Sequence, residues 1–338
     1  MKTEEQREDR LTRPIRADID FAGRLKGDVI VLGAGGKMGP TLAKRLRRAI
    51  TEAHSKSRVM AVSRFHDQAA RDLLHADGIE TLACDLMDPA EVEQLPRIEN
   101  VIYMAGRKFG SADNPEDTWA ANTVVPVNVA RHFRESRIVV FSTGNVYPFV
   151  SPMDGGSTEI DDPAPRGEYA QSCLGRERIF EYYSRQFGTP CLIYRLNYAI
   201  DLTYGVLVDI ARQVFDGRPV DLSVPAVNVI WQGDANSYAM RSLELCASPA
   251  RRLNVAGPET IPVRRAAEFF ARRFGRPLQT TGTPGGKALL SDAGVCHASL
   301  GYPEVSAAQL MEWVATWIEH GGALQQKPTK FQVTDGKF

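Results

Sequence analysis

The chain has 338 residues, of which 43% are hydrophobic and 24% charged, and its 41 Lys and Arg residues balance its 41 Asp and Glu residues. These values are typical of a globular protein, and the zero net charge disfavours a nucleic-acid-binding protein. No apolar run is long enough to span a bilayer, so we expect no membrane partner. The five cysteines form no CxxC pair and the six histidines form no metal-ligand pattern. We therefore expect reduced thiols, a cytoplasmic protein and no metal ion.

Residues 1–27 are polar without a clear period, and we expect them to form an N-terminal arm. From 28 to 196, apolar runs alternate with amphipathic segments. Strands are predicted at 29–32, 58–63, 81–84, 100–104, 137–141 and 191–196, and helices at 40–50, 68–76, 119–135 and 169–187. Val29–Leu32 is continuously apolar, as in a strand covered on both faces. This alternation predicts an α/β fold with a Rossmann-type, doubly wound parallel sheet.

The order of elements is less regular after residue 196. Helices are predicted at 206–216, 234–246, 262–274 and 307–319, with strands at 227–230 and 253–255. We assign residues 197–321 mostly to a smaller, C-terminal substrate-binding region with segments that return to the core. Residues 322–338 are expected to form a loose tail.

A glycine-rich loop joins the first strand to the first helix of the sheet. Gly33, Gly36 and Gly39 form a GxxGxxG pattern that also contains Lys37 and Met38. A dinucleotide pyrophosphate must approach backbone N–H groups at a helix N-terminus, where side chains would obstruct it. The loop therefore predicts a dinucleotide site and makes residues 28–196 an NAD(P)-binding domain. The alternative is a tight strand–helix turn without a ligand.

The end of the second strand bears on the choice of dinucleotide. NAD-binding proteins usually carry an acidic residue there, which bonds the ribose 2′-hydroxyl, whereas an arginine suits a 2′-phosphate. This chain has Ser63-Arg64, and Lys37 adds positive charge. We therefore predict NADP in preference to NAD. The alternative is that Arg64 is only a solvated residue at the strand end.

Further motifs resemble those of the extended short-chain dehydrogenase/reductases, the NAD-dependent epimerase/dehydratase family, from about Asp28 to about Gly321. The resemblance implies that Asp85-Leu86 contacts the adenine and that Ala105-Gly106 lines the cofactor. It also implies a structural or catalytic role for Asn122. The segment Phe141–Tyr147 resembles the one that carries the catalytic Ser/Thr, which falls on Thr143. Leu300–Pro303 resembles the family's C-terminal signature.

The catalytic Tyr-x-x-x-Lys motif of that family is only half present. Tyr169 matches its tyrosine, but Cys173 stands where the lysine is expected. In the family this lysine lowers the tyrosine pKa and holds the nicotinamide ribose. Positions i and i+4 share a helix face, so both residues are expected at the cofactor. A neutral thiol supplies no charge to a tyrosine whose ordinary pKa is about 10.

Another cation can replace the lost lysine. Arg107 and Lys108 follow the fourth strand, at the edge of the sheet where ligands bind. We expect one of them either to supply part of the missing charge or to bind an anionic substrate. The alternative is that both are surface cations of a loop. Arg176 shares a helix face with Tyr169, and Asn145 is a further candidate for contact with substrate.

The resemblance implies an NAD(P)-dependent oxidoreductase or epimerase that acts on a hydroxyl or keto carbon. We expect a small carbohydrate-derived or similarly polar substrate, and a homodimer built from helices such as 119–135 and 169–187. In such an enzyme Tyr169 could also act as a general acid with little help, at a low rate. The alternative is a non-catalytic NADP-binding sensor or scaffold. Thr143 and Tyr169 favour the enzyme, whereas Cys173 favours the alternative.

Overall fold

The computed structural model describes residues 1–65, 67–108, 110–111, 113–325, 327 and 329–336. Gln326, Pro328 and residues 337–338 of the predicted tail lie outside the described residues. The strands, in chain order, are β1 Val29–Leu32, β2 Val59–Ser63, β3 Glu80–Ala83, β4 Asn100–Tyr103, β5 Arg137–Thr143, β6 Cys191–Leu196, β7 Ala199–Ile200, β8 Val220–Asp221, β9 Ala226–Val227, β10 Ile230–Trp231, β11 Arg251–Val255, β12 Ile261–Pro262 and β13 Thr280–Thr281.

Helices flank these strands. The α-helices are α1 Glu4–Thr12, α2 Arg16–Arg24, α3 Gly39–Glu52, α4 Gln68–Ala76, α5 Pro89–Glu93, α6 Pro115–Trp119, α7 Val125–His132, α8 Gly167–Phe187, α9 Val206–Phe215, α10 Gln232–Arg241, α11 Val263–Phe274, α12 Gly294–Leu300 and α13 Ala307–Glu319. A π-helical turn, Ala120–Val124, joins α6 to α7, and short 3₁₀ turns lie at Gly144–Val146, Pro152–Asp154 and Ser242–Leu245.

A parallel sheet of seven strands lies at the centre, in the order β11-β6-β5-β4-β1-β2-β3. Val29 and Val31 pack into one apolar cluster, while Ile30 and Leu32 pack into another, because side chains of a strand alternate between its two faces. Burial on both faces explains why β1 is continuously apolar. The predicted α/β fold with a doubly wound parallel sheet is confirmed; the domain boundaries remain a prediction.

The N-terminal arm consists of the helices α1 and α2, which pack on α3. Leu11 and Phe21 are buried. The buried carboxylate of Asp18 pairs with the guanidinium of Arg45 at 2.7 Å, which ties α2 to α3. The polar segment shows no clear period for these helices because each has only nine residues and several charges.

Two predicted elements are interrupted. The prediction of one strand over 227–230 is wrong: β9 pairs antiparallel with β12, and β10 pairs parallel with β7. Asn228, between β9 and β10, donates its Nδ2 to the carbonyl of Ser291 at 2.6 Å. A side-chain hydrogen bond thus stands where a continuous strand would form backbone hydrogen bonds. The predicted helix 119–135 is divided by the π-helical turn, and Pro126 lies in the first turn of α7.

The C-terminal segment is packed where the structure describes it. Thr329 donates its backbone N and its Oγ1 to Asp209 Oδ2, at 2.8 and 2.6 Å. Phe331 is buried in the apolar cluster of the C-terminal region. Gly336 lies against the backbone of Gly167 at the start of α8. The expectation of a loose tail is therefore wrong for residues 329–336.

Candidate active site

A cavity of about 340 Å³ opens at the carboxyl ends of β1, β4, β5 and β6. Ligands of open parallel sheets bind at this edge, where the strand order reverses. The predicted site residues that line the cavity are Gly33, Gly36, Lys37, Met38, Gly39, Gly106, Arg107, Lys108, Thr143, Asn145 and Tyr169. The fold thus brings the glycine loop, the predicted catalytic hydroxyls and the two cations after β4 to one place.

The glycine loop fits closely against the segment that follows β4. Gly33 has a φ of +88°, and a Cβ there would lie 2.6 Å from the backbone nitrogen of Ala105. Both the backbone conformation and the contact therefore require glycine. The loop leads into α3, whose first-turn N–H groups have no acceptor within the helix. This cradle suits the anionic pyrophosphate of a dinucleotide.

Lys37 extends from the glycine loop toward the C-terminal region. Its Nζ lies 4.2 Å from the ring centroid of Tyr204 and 3.9 Å from Oδ1 of Asp201. Arg7 of α1 contacts the other oxygen of Asp201 at 3.2 Å. Burial lowers the pKa of Lys37 to about 8 despite the attraction of Asp201. Lys37 is thus a cation between the phosphate loop and the substrate side of the cavity.

The edge formed by β2 and β3 lies beyond this cavity. The Ser63 side chain lies against Gly35 of the glycine loop, and Arg64 is exposed at the end of β2. Asp85 accepts a hydrogen bond from the backbone N of Met87 at 3.0 Å, and Leu86 is buried. These residues stand at successive strand ends beside the loop, where the sequence predicts the adenosine portion of the cofactor.

Thr143 and Tyr169 come together from different elements. Thr143 is the last residue of β5, Tyr169 lies in the first turn of α8, and both line the cavity. Asn145 donates its Nδ2 to Oγ1 of Thr143 at 3.0 Å. Burial raises the pKa of Tyr169, Cys173 adds to this effect, and Arg176 opposes it. The phenol therefore keeps its proton at neutral pH.

Cys173 lies one turn further along α8 and is fully buried. It packs with Val146 and Tyr147, and Tyr169 covers this small cluster. Burial raises the pKa of its thiol, so the group is neutral. Cys173 fills space beside the tyrosine but brings no charge to it.

Asn122 is fully buried in the π-helical turn and does not line the cavity. Its Oδ1 accepts from the backbone N of Arg107, and its Nδ2 donates to the carbonyl of the same residue, each at 3.0 Å. The Nδ2 also donates to Oγ of Ser172 on α8, at 2.9 Å. Asn122 therefore fixes the loop after β4 against α8.

Arg176 is a buried part of the cavity wall. Its Nη1 donates to the carbonyl of Phe141 at 2.8 Å, and its Nη2 donates to Oδ1 of Asn122. A Cβ at Gly106 would overlap with this guanidinium, which explains the glycine. The sequence places Arg176 on the face of Tyr169, but these contacts could not be inferred from it.

The two cations after β4 point in different directions. Arg107 pairs with Asp117 at 2.8 Å, through Nη1, toward the outside of the site. Lys108 turns inward, and its Nζ lies 5.6 Å from the ring centroid of Tyr169. Burial lowers the pKa of Lys108. Only Lys108 of this pair is directed at the predicted catalytic tyrosine.

Sequence reasoning missed part of the cavity wall: Asn197, Tyr198, Tyr204 and Thr329. Asn197 and Tyr198 follow β6 directly, so their position at a strand end was a signal that could have found them. Tyr204 and Thr329 come from segments without a motif. They reach the cavity only through the tertiary packing of the C-terminal region.

The chain belongs to the NAD dependent epimerase/dehydratase family, whose model matches residues 29–200, just over half of the chain. The predicted resemblance is thus confirmed. A search of curated protein sequences finds no significant match.

Solved structures share the fold. Pal from Bacillus thuringiensis is 18% identical, with 86% of this chain and 99% of that chain covered and a TM-score of 0.71. DesIV, a dTDP-glucose 4,6-dehydratase from Streptomyces venezuelae solved with NAD and TYD, is 18% identical over 86% of this chain and 97% of its own, with a TM-score of 0.71. The UDP-glucose 4-epimerase of Thermus thermophilus, in complex with NAD, is 18% identical over 88% of this chain and 100% of its own, with a TM-score of 0.68.

Within the described ranges, no helix is both long and apolar enough to cross a membrane. The same residues contain no group of three or more His, Cys, Asp or Glu side chains placed to hold a metal ion. All five cysteines are free thiols. The cytoplasmic location remains a prediction.

Proposed function

We propose that this protein is an NAD(P)-dependent oxidoreductase or epimerase that acts on a hydroxyl or keto carbon of a small, carbohydrate-derived or similarly polar substrate. The observation that carries the proposal is the meeting of Thr143 and Tyr169 in the cavity that the glycine loop also lines. Membership of the family supports it.

The site fits a dinucleotide cofactor. The glycine loop and the first turn of α3 would hold its pyrophosphate, with Lys37 beside them, and Ala105 and Gly106 would border its nicotinamide side. When bound, the nicotinamide ring would accept or give a hydride at the reacting carbon. Family membership and the neighbours solved with NAD support a nicotinamide cofactor in general.

NADP in preference to NAD is the finer part of this proposal. The end of β2 presents Ser63 and the exposed Arg64, and neither is the carboxylate that usually binds the ribose 2′-hydroxyl of NAD. Calorimetric titration with NADP⁺ and NAD⁺ tests this preference. Arg64→Ala should weaken the binding of NADP⁺ by about tenfold, because one charge-assisted contact is lost, and it should leave the binding of NAD⁺ unchanged. Tighter binding of NAD⁺ by the unaltered protein would contradict the NADP preference.

Thr143 and Tyr169 would act on the substrate oxygen. Thr143 would orient it by a hydrogen bond. Tyr169, whose pKa is raised by burial, holds its proton and would give it to a carbonyl oxygen as hydride arrives. Transfer of that proton leaves a phenolate, which burial disfavours, so a positive charge nearby would assist the step in either direction.

A polar substrate is supported by the cavity wall. Asn145, Asn197 and Tyr204 present amide and hydroxyl groups of the kind that bind sugar hydroxyls. Structures of related fold are described in complex with UDP-glucose and with UDP-glucuronic acid. A panel of sugar and sugar-derived ketones with NADPH, followed at the nicotinamide absorbance, is the direct test.

The alternative, a non-catalytic NADP-binding sensor or scaffold, is favoured by the neutral Cys173. Tyr169→Phe separates the two functions. An enzyme should lose about 10²–10⁴-fold in turnover while it keeps its cofactor affinity, because proton transfer contributes that much. If no ketone of the panel is reduced by the unaltered protein while NADP(H) binds tightly, the non-catalytic function replaces the proposed one.

We further propose a homodimer formed by α6, α7 and α8. Large apolar side chains of these helices and of the π-helical turn between α6 and α7 are exposed: Trp119, Val124, Val127, Tyr182 and Phe187. Contact with the same helices of a second copy of the chain would remove these side chains from water. Sedimentation velocity should give a dimer, and Val127→Glu should give monomers. A monomeric unaltered protein would contradict this proposal.

A further inference from the structure

The helix that carries Tyr169 brings no positive charge one turn later. Cys173 is fully buried and neutral, and it packs with Val146 and Tyr147. A buried phenol resists ionisation, and a positive charge beside it lowers that cost. Arg176 of the same helix supplies part of this charge, but position 173 supplies no ammonium group to the tyrosine or to a cofactor.

Among the described residues, four cations line the cavity. Lys37 contacts Asp201 and Tyr204 on the far side. Arg107 pairs outward with Asp117. Arg176 opposes the raised pKa of Tyr169, but its Nη atoms bond Phe141 and Asn122. The Nζ of Lys108 lies 5.6 Å from the centroid of the Tyr169 ring.

Lys108 is also within electrostatic reach of Cys173, whose thiol it stabilises in the ionised form. The ammonium group thus acts on Cys173 electrostatically and lies over the ring of Tyr169. In the family, the lysine of this motif serves the cofactor from the helix, one turn after the tyrosine. The side chain of Lys108 enters the cavity from the loop after β4.

The loop that carries Lys108 is fixed. Asn122 bonds both the N–H and the carbonyl of the preceding residue, Arg107. The guanidinium of Arg176 lies directly against Gly106 and also bonds Asn122. A cation attached to a rigid loop loses little conformational freedom when it acts.

We propose that Lys108 supplies, from the loop after β4, the ammonium group that the Tyr-x-x-x-Lys motif supplies from the helix. This proposal rests on the proposed function, because it gives Lys108 the two tasks of that lysine. Lys108 holds the nicotinamide ribose and stabilises the ionised form of Tyr169. Asn122 and Arg176 are the positioning residues of this arrangement.

A swap of the two positions tests the proposal. Lys108→Met should weaken NADP⁺ binding by about 10- to 100-fold, the range for loss of hydrogen bonds to a charged group. Adding Cys173→Lys to Lys108→Met should restore most of the affinity, because the ammonium returns from the helix. Lys56→Met, at an exposed lysine before β2 on the opposite edge of the sheet, is the matched control and should bind as the unaltered protein does.

A second measurement reports on the tyrosine itself. The apparent pKa of Tyr169 is followed by NMR of ¹³Cζ-tyrosine-labelled protein, with its signal assigned by Tyr169→Phe. Lys108→Met should raise this pKa, and the double variant should lower it again. Circular dichroism checks the fold of each variant, and Lys108→Gln takes the place of Lys108→Met if the latter does not fold.

The outcomes are distinct. Unchanged affinity and an unchanged Tyr169 pKa in Lys108→Met would overturn the proposal and leave Lys108 to bind an anionic substrate. If Lys108→Met weakens NADP⁺ binding and the added Cys173→Lys does not restore the affinity, the proposal is also overturned. A lysine at position 173 would then not be equivalent to Lys108. If the unaltered protein binds neither NADP⁺ nor NAD⁺, the proposed function fails, and the NMR titration still decides whether Lys108 controls Tyr169.

Discussion

Two edges of the same cavity are built by different means. The phosphate edge, Gly33 to Gly39, works through backbone conformation and the start of a helix. The tyrosine edge, formed by Lys108, Thr143, Tyr169 and Cys173, depends on side chains from three separate parts of the chain. A backbone site must keep its local sequence, because no other segment can supply the same N–H groups. A charge can be supplied from any segment that reaches the site.

The largest effect is expected at the buried ion pair behind the tyrosine edge. Arg195 and Glu177 are both fully buried and pair at 2.6 Å, and Glu177 also accepts from Ser142, the residue before Thr143. Glu177→Gln should lower the free energy of unfolding in urea by about 3–5 kcal/mol, because it leaves a buried charge unpaired. Glu244→Gln, which breaks the exposed pair with Arg24, should cost less than about 1 kcal/mol. Equal losses in the two variants would show that burial does not distinguish these pairs.

At the phosphate edge, Gly33→Ala should weaken dinucleotide binding by about 100-fold, since backbone strain of this kind costs about 1–3 kcal/mol. The control is Gly155→Ala, because Gly155 also has a positive φ, of +80°, but has open space around its Cα. Calorimetry should find that Gly155→Ala binds the dinucleotide with unchanged affinity. Unchanged binding by Gly33→Ala would show that the close contact with Ala105 can relax.

Asn122→Ala should release the loop that carries Lys108. Two hydrogen bonds to Arg107 are lost, and about 1–3 kcal/mol of local stability with them. Hydrogen exchange at the Arg107 amide should accelerate accordingly. Asn128→Ala is the matched variant, because Asn128 bonds the carbonyls of Leu86 and Met87 beside the phosphate edge. If Asn128→Ala accelerates exchange at Arg107 equally, the two edges are not independent.

The smallest effect is a dependence on pH. The pKa of Lys37 in the free protein is about 8, and a bound phosphate raises it, because the anion favours the protonated amine. Affinity for NADP⁺ should therefore be constant below about pH 7 and fall above about pH 8, by about tenfold for each unit by which binding raises the pKa of Lys37. The Lys37→Met variant should bind NADP⁺ more weakly, and its affinity should not decline with pH. If its affinity still declines above about pH 8, a titratable group other than Lys37 causes the decline.

These two edges also differ in how far the sequence predicts them. The continuous apolar run of β1 and the spacing of Gly33, Gly36 and Gly39 predict the sheet and its phosphate loop from local pattern alone. Cys173 reveals that the usual lysine is missing, and it leaves Arg107 and Lys108 as equal candidates. Only tertiary contacts separate them, because the outward pairing of Arg107 depends on Asp117 of α6.

The C-terminal side of the cavity was harder to predict for the same reason. Thr329 reaches the wall through its bonds with Asp209, 120 residues earlier in the chain. Such a contact has no local period or motif, and the polar sequence around it predicts a loose tail. The helices α1 and α2 were missed in a similar way, since their buried faces consist of a few residues such as Leu11 and Phe21.

The side-chain amide of Asn122 bonds the backbone of Arg107 as a residue of a neighbouring β-strand would, because it accepts from the N–H and donates to the carbonyl. One residue of the loop after β4 is thus paired with the π-helical turn. Register is strict in such pairing, because a shift of one residue turns a side chain to the opposite side. Insertion or deletion of one residue between Gly106 and Lys108 would place a different side chain toward Tyr169. The length of this short connection is therefore as much a part of the site as the identity of its residues.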